Sequence, residues 1–252
     1  MKKILTLSLL LIFSINSFSQ SKEDCLSNLS IFAEYAKVKN YDAAYEPWLE
    51  VKSQCPKLNI AIYVYGERLL KSFIKKSEGN KRDEYQEDLL DLYDEWLKHF
   101  SKSKSGKNET GKILAIKAQT MIDYKLADNE TIYDVYDMAF TNDPQSFKSP
   151  KGLYNYFKIY FGLYKENNSN VSLEKLFEKY EELTEKFEFE MEAYTSKLDL
   201  LLKKEKNNDP ISARELRNKK VYEVNMVACD TYLNNLNAIV AKESTCENLI
   251  PL

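Results

Sequence analysis

The chain has 252 residues, 44% hydrophobic and 30% charged, with a formal charge of −3. Only six residues are glycine and only one is histidine. Scarce glycine argues against open α/β nucleotide folds and tight-turned β-sandwiches, which use it for turns and close backbone approach. A single histidine excludes His-rich metal sites and the paired Glu-x-x-His motifs of di-iron bundles.

The N-terminus reads as an export signal, residues 1–19. Lys2 and Lys3 precede an apolar run from Ile4 to Phe13, and Ser17-Phe18-Ser19 has the small-x-small cleavage pattern. Ten apolar residues are too few to span a hydrocarbon core of about 30 Å, so no integral membrane insertion is expected after cleavage. Cleavage would leave Gln20 first, and losing two lysines and no acid takes the charge from −3 to −5. A mildly acidic chain without a basic stripe argues against nucleic acid as a partner. No cofactor or metal is expected.

Nearly every later segment has a 3.6-residue rhythm, so the expected fold is all-α. A first helix over Lys22–Val38 would turn Leu26, Leu29, Phe32, Ala33 and Ala36 inward. A second, Tyr41–Gln54, follows a turn at Lys39-Asn40 and carries Pro47, which kinks it or delays its start. Cys25 and Cys55 each lie 15 residues from Asn40, which places them opposite each other at the open end of the pair. Export makes a disulfide there chemically possible. Helices are expected over Asn59–Lys76 and Arg82–Ser101, then a polar linker from 101 to 111. Lys112–Lys125 and Glu130–Thr141 form another pair, and Pro150 opens an aromatic helix reaching Lys165.

From Ser172 apolar residues step by three and four through Leu173, Leu176, Tyr180, Leu183, Phe187, Met191, Tyr194, Leu198 and Leu201. That is a coiled-coil-like seam with one stutter, at Phe187 to Met191. Ser212 to Glu215 is a capping box opening a last helix whose stripe is Leu216, Val221, Val224, Ala228, Tyr232, Leu236 and Ile239. Residues 172–206 and 212–242 thus read as a long antiparallel helical hairpin. If Cys229 and Cys246 shared one helix they would lie about 25 Å apart, so a bond between them needs a chain reversal. The expected domains are a repeat-like helical domain over 20–168, the hairpin over 169–245, and a further helix start or tail over 246–252.

Helix pairs joined by short turns suggest a solenoid. Tyr35, Tyr41, Ala44, Trp48 and Pro56 are spaced by 6, 3, 4 and 8. This resembles the tetratricopeptide repeat, with Ala44 as the small residue at the helix crossing and Trp48 packing on the next pair. Asn28 and Phe32 stand where that repeat usually has Trp and Gly. Tyr136, Ala139 and Pro144 echo its second helix. FAEYAKVKNYDAAYEPW, CPKLN and CENLIPL are similar to exported repeat proteins of Bacteroidota. The resemblance implies envelope assembly or scaffolding, and a chain that is the N-terminal part of a longer protein.

Three constellations invite chemistry. Gly106 to Lys112 matches the phosphate-loop spacing, but Ile113 stands where Mg²⁺ needs Ser or Thr, and no strand precedes it. His99 has no fixed triad or metal partner and reads as a helix-end residue near the negative dipole. Glu181, Glu182, Glu185 and Glu188 read as a solvated face. Gly79, Gly106 and Gly111 fall in linkers, whereas Gly66 and Gly162 should mark close helix packing. The aromatic helix covers more than one face and so reads first as buried between neighbours; the alternative is a candidate partner face in Tyr154, Tyr156, Tyr160 and Tyr164, whose rings give amphipathic area at low entropic cost. The expected function is a non-catalytic exported scaffold, in the periplasm or cell envelope and including outer-membrane association, that binds a protein or peptide. Alternatives are a periplasmic holdase using the hairpin as a clamp and, less favoured, an envelope enzyme.

Overall fold

A computed structural model describes residues 22–166 and 170–245. Among the described residues there are nine helices and no β-strand, and no helix is long and apolar enough to cross a membrane. The chain forms two compact units, one ending at Lys107 and the other beginning at Asn108. The expected signal, residues 1–19, lies outside the described residues.

In the first unit, α1 covers residues 22–37 and α2 covers Tyr41–Gln54. Lys39 takes a left-handed backbone conformation after α1, and the Asn40 side chain accepts from the Ala43 amide to start α2. Three residues, 38–40, therefore suffice to reverse the chain. α2 runs unbroken through Pro47, so its start is not delayed. α1 buries Cys25, Phe32 and Ala36, while Leu26 is exposed. The inward stripe begins one residue earlier than expected because Cys25 shares a face with Leu29, Phe32 and Ala36 at steps of 4, 3 and 4.

Cys25 and Cys55 form a disulfide with Cα atoms 6.2 Å apart. It closes the open end of the α1–α2 pair, with Asn28 Nδ2 donating to Glu50 Oε2 one turn further in (2.5 Å). Cross-linking residues 30 apart removes conformations from the unfolded chain. Both tryptophans, Trp48 and Trp96, lie in this unit, so their fluorescence reports on it. Cys25→Ser should cost roughly 2–3 kcal/mol in a tryptophan-monitored urea titration, below the full chain-entropy value because such bonds often deliver less. An unchanged midpoint would show that the bond contributes no stability.

α3 spans Ala61–Lys76 and α4 spans Gly79–Phe100. Trp48 is buried with its Nε1 donating to the Ile62 carbonyl of α3 at 2.9 Å. A Cβ on Gly66 would stand 2.6 Å from that nitrogen. Gly66 therefore does mark close packing, as the socket for the Trp48 ring. Gly79 is the first residue of α4 rather than part of a loop.

The second unit opens with α5 (Thr110–Tyr124), α6 (Asn129–Asn142) and α7 (Pro150–Lys165). Ser149 caps α7 by accepting from Gly152 N, with Pro150 at the first helical position. α8 (Leu173–Lys206) has 34 residues and α9 (Ala213–Glu243) has 31; each helix is therefore about 50 Å long or slightly less. They lie antiparallel: Tyr180 pairs with Asn237, Tyr194 with Tyr222, and Lys204 with Glu215. α7 packs against α5, α6, α8 and α9, which places the aromatic helix at the centre of this unit. Gly162 has only Asn129 Nδ2 at 3.6 Å from a would-be Cβ, so it does not mark close packing.

Candidate functional site

α7 is largely core, as its first reading has it, and the alternative partner face loses Tyr156 and Tyr160 to burial. Tyr156 is fully buried, among the rings of Tyr133, Tyr136, Phe140 and Phe147. Its hydroxyl donates to Asp137 Oδ1 and accepts from Lys179 Nζ at 2.9 Å. Tyr133 donates to the same carboxylate oxygen at 3.2 Å. Burial pushes the Tyr156, Tyr133 and Tyr136 phenols well above their ordinary range. Tyr160 is buried and stacks on Tyr133, with centroids 4.9 Å apart. Tyr154 is half-buried against Tyr232 of α9, and Tyr164 is half-exposed beside Phe161. Tyr156 and Tyr160 thus cannot present themselves to a partner. A helix wedged among four others buries aromatics on several sides at once.

Among the repeat-type residues, Ala44 and Trp48 are buried, Tyr41 and Pro56 half-buried, and Tyr35 exposed. The Pro56 carbonyl accepts from the Tyr63 hydroxyl at 3.0 Å.

The phosphate-loop spacing has another cause. Gly111 and Lys112 lie in the first turn of α5, not in a linker, and their amides are already taken. Gly111 N donates to Asp143 Oδ2 at 3.2 Å and Lys112 N to Ser146 Oγ at 2.9 Å. His99, next to last in α4, is half-buried with Nδ1 lacking a hydrogen-bond partner. Burial, then Lys98 and Lys57, lower its pKa, against the rise a helix C-terminus favours. It lines a cavity of 290 Å³ with Leu49, Lys52, Ser53, Pro56, Glu95 and Lys98. Glu181, Glu182, Glu185 and Glu188 are exposed, as expected. Among the described residues no group of three or more His, Cys, Asp or Glu could hold a metal ion.

The informative surface is the α8–α9 pair, and its two faces differ from the expected ones. On α8 the seam continues through Glu190 rather than Met191. Glu190 is 1% exposed and accepts from Lys186 Nζ at 2.6 Å and Lys148 Nζ at 3.3 Å. Cys229 of α9 is a buried free thiol whose pKa rises to about 11, through burial and then Glu190, with Lys186 opposing. At neutral pH it is an unreactive thiol. Cys246, the other candidate cysteine, lies outside the described residues. Tyr194 is pushed up to about 12, chiefly by burial. Nothing in the linear pattern singles out Lys186 and Glu190, since an i, i+4 Lys–Glu pair is ordinary on solvated helices.

The start of α9 is held by its capping box, Ser212 Oγ accepting from Glu215 N and Glu215 accepting from Ser212 N. Lys204 and then the Ser212 donors hold the Glu215 carboxyl down to about 2. Its folded pKa lies below the usual value, so its stabilising effect is present above about pH 4.5 and fades as the pH falls towards 2.

α9 buries Cys229, Leu236, Val240 and Glu243. The expected stripe is corrected in its first half: Leu216, Val221 and Val224 are 53, 53 and 59% exposed, and Val227 reaches 67%. The stripe runs at helical spacing but on the side opposite Tyr222 and Cys229. α9 is apolar on two faces, and only one meets α8. On α8, Phe189, Leu200 and Leu202 are also exposed. Leu200 and Leu201 line a groove of 440 Å³ with Lys197, Lys204, Glu215, Asn218 and Tyr222. This arrangement offers apolar area and basic charge. No family model, curated protein or solved structure gives a significant match to this chain.

Proposed function

We propose that the chain is an exported, non-catalytic scaffold that holds a partner protein on the outer face of α9. The observation that carries this reading is the exposure of Leu216, Val221, Val224 and Val227, four aliphatic side chains on one stripe. Large apolar patches on a folded surface mark interaction sites. The exported location follows from residues 1–19 and is supported by the Cys25–Cys55 disulfide, which suits an oxidising compartment. The tetratricopeptide-like reading of α1–α2 draws support from buried Ala44 and from Trp48 seated against Gly66 of the following helix. The non-catalytic reading draws support from Cys229 and the buried tyrosines, all displaced away from neutrality.

A photo-crosslinking residue at Leu216, Val224 or Val227, introduced one at a time into the exported protein, should give the same adduct in living cells. The same probe at exposed Glu185 of α8 should give none. Adducts of equal yield at Glu185, or none at any α9 position, would overturn the reading.

A further inference from the structure

The outer face of α9 is not only aliphatic. Between Ala213 and Val227 its exposed charges are Arg214, Arg217 and Lys220, with Glu223 as the exposed acid. The remaining acid there, Glu215, is turned to Lys204 at 2.6 Å, and Lys219 is taken by Glu205 at 2.7 Å. From Lys197 to Val221 eight basic residues stand against four acidic ones, in a chain whose formal charge is −3. The end of the α8–α9 pair is therefore basic while the rest of the chain is acidic.

The aliphatic positions have helix-packing spacing. Leu216, Val224 and Val227 stand at steps of eight and three, with Lys220 midway, and Val221 one turn before Val224. Such a face admits one further helix, and Arg217 and Lys220 stand among its aliphatic residues, so a helix laid on it has to meet two cations as well as the aliphatic side chains. Three of the four aliphatics are β-branched valines, short enough for close backbone approach and too shallow to anchor deeply in a bilayer.

We propose that the occupant of this face is an amphipathic helix of a partner protein, whose contacting face carries aliphatic and acidic residues. The inference rests on the partner-binding reading above and adds the chemistry of the partner. The charge complementarity of Arg214, Arg217 and Lys220 supplies specificity, and the aliphatic stripe supplies the buried area.

The test uses the exported chain and three synthetic helical peptides with one leucine seam, flanked by Glu, Lys or Gln. Fluorescence anisotropy at low salt should show the Glu-flanked peptide binding roughly tenfold or more tighter than the Lys-flanked one. The preference should shrink as salt is added. Arg217→Glu with Lys220→Glu should reverse the order of the peptides, and Val224→Asp should abolish binding of all three. All these positions are exposed, and unchanged helicity and melting by circular dichroism verify the fold of each variant. Equal binding of Glu- and Lys-flanked peptides, or an order unchanged by the charge reversal, overturns the inference. So does pelleting with phosphatidylglycerol vesicles without peptide binding, which would assign the face to a lipid surface. If the Val224 adduct in cells survives Arg217→Glu with Lys220→Glu, the partner reading stands and the acidic-helix inference falls.

Discussion

Replacing Glu190 by alanine should destabilise the second unit by about 3–5 kcal/mol, the cost of leaving a buried charge without its partner. Glu190 is 1% exposed and Lys186 8% exposed, and their 2.6 Å contact lies one turn apart on the face that meets α9. Phe187, Tyr194 and Cys229 are buried around them, so water cannot replace the lost carboxylate without opening the helix pair. Lys148, 38% exposed, can rotate to solvent when Glu190 is removed, but Lys186 cannot. Removing both charges together is a different matter. Lys186→Met with Glu190→Leu replaces the pair with apolar volume and should fall within about 1 kcal/mol of the parent chain. Hydrogen exchange across α7 to α9, with denaturation followed by far-UV circular dichroism, measures both. A Glu190→Ala loss below about 1 kcal/mol would show that the pair is hydrated and contributes little.

The location of the helices was legible in the sequence to within a few residues, because their limits rest on local chemistry. Asn40, Asp128, Ser149, Ser172 and Ser212 each cap the helix that follows with their own side chain. The Cys25–Cys55 disulfide was legible for a related reason: a short turn fixes which positions of an antiparallel pair face each other. What failed was the choice of face. α9 has apolar residues on two sides, and the regular three-and-four step that marks the covered one includes a cysteine, a methionine and a tyrosine, which a count of aliphatic residues passes over. The exposed stripe steps by five and three through Leu216, Val221 and Val224, whereas the covered side steps by 4, 3, 4, 3 and 4 through Tyr222, Met226, Cys229, Leu233, Leu236 and Val240. On α8, residues 190 and 191 are both compatible with the heptad step, and the packed one is the acid, because Lys186 neutralises it one turn away. On α7 the aromatics cover several faces because several helices surround it, and surface tyrosines cannot be told from core ones until those neighbours are in place.

Gly111→Ala should cost at least about 3 kcal/mol, a large penalty for one methyl group on a helix. An alanine normally stabilises a helix relative to glycine by up to about 1 kcal/mol, so the sign here is set by tertiary packing. A Cβ at residue 111 would stand 2.1 Å from the Asp143 carbonyl oxygen and 2.8 Å from that of Ala139. Both are backbone atoms, so no side chain can swing aside, and the end of α6 must move off the start of α5. That movement breaks the cap described above. The α5 residue preceding the helix, Glu109, supplies no side-chain cap, and Asp143 and Ser146 serve in its place. Ser146 in turn donates to the Asp143 carboxylate, so the two hold each other in position. Both residues are buried, and separating the helices leaves a carboxylate and two amides short of partners. The same substitution elsewhere in this unit gives the contrast. Gly162 lies inside α7 with its nearest neighbour at an ordinary 3.6 Å, so Gly162→Ala should be neutral or stabilising by up to about 1 kcal/mol. Thermal and urea denaturation of the two variants should therefore move in opposite directions from the parent. If Gly111→Ala behaved like Gly162→Ala, the contact between the α5 start and the α6 end would be far looser than these distances require.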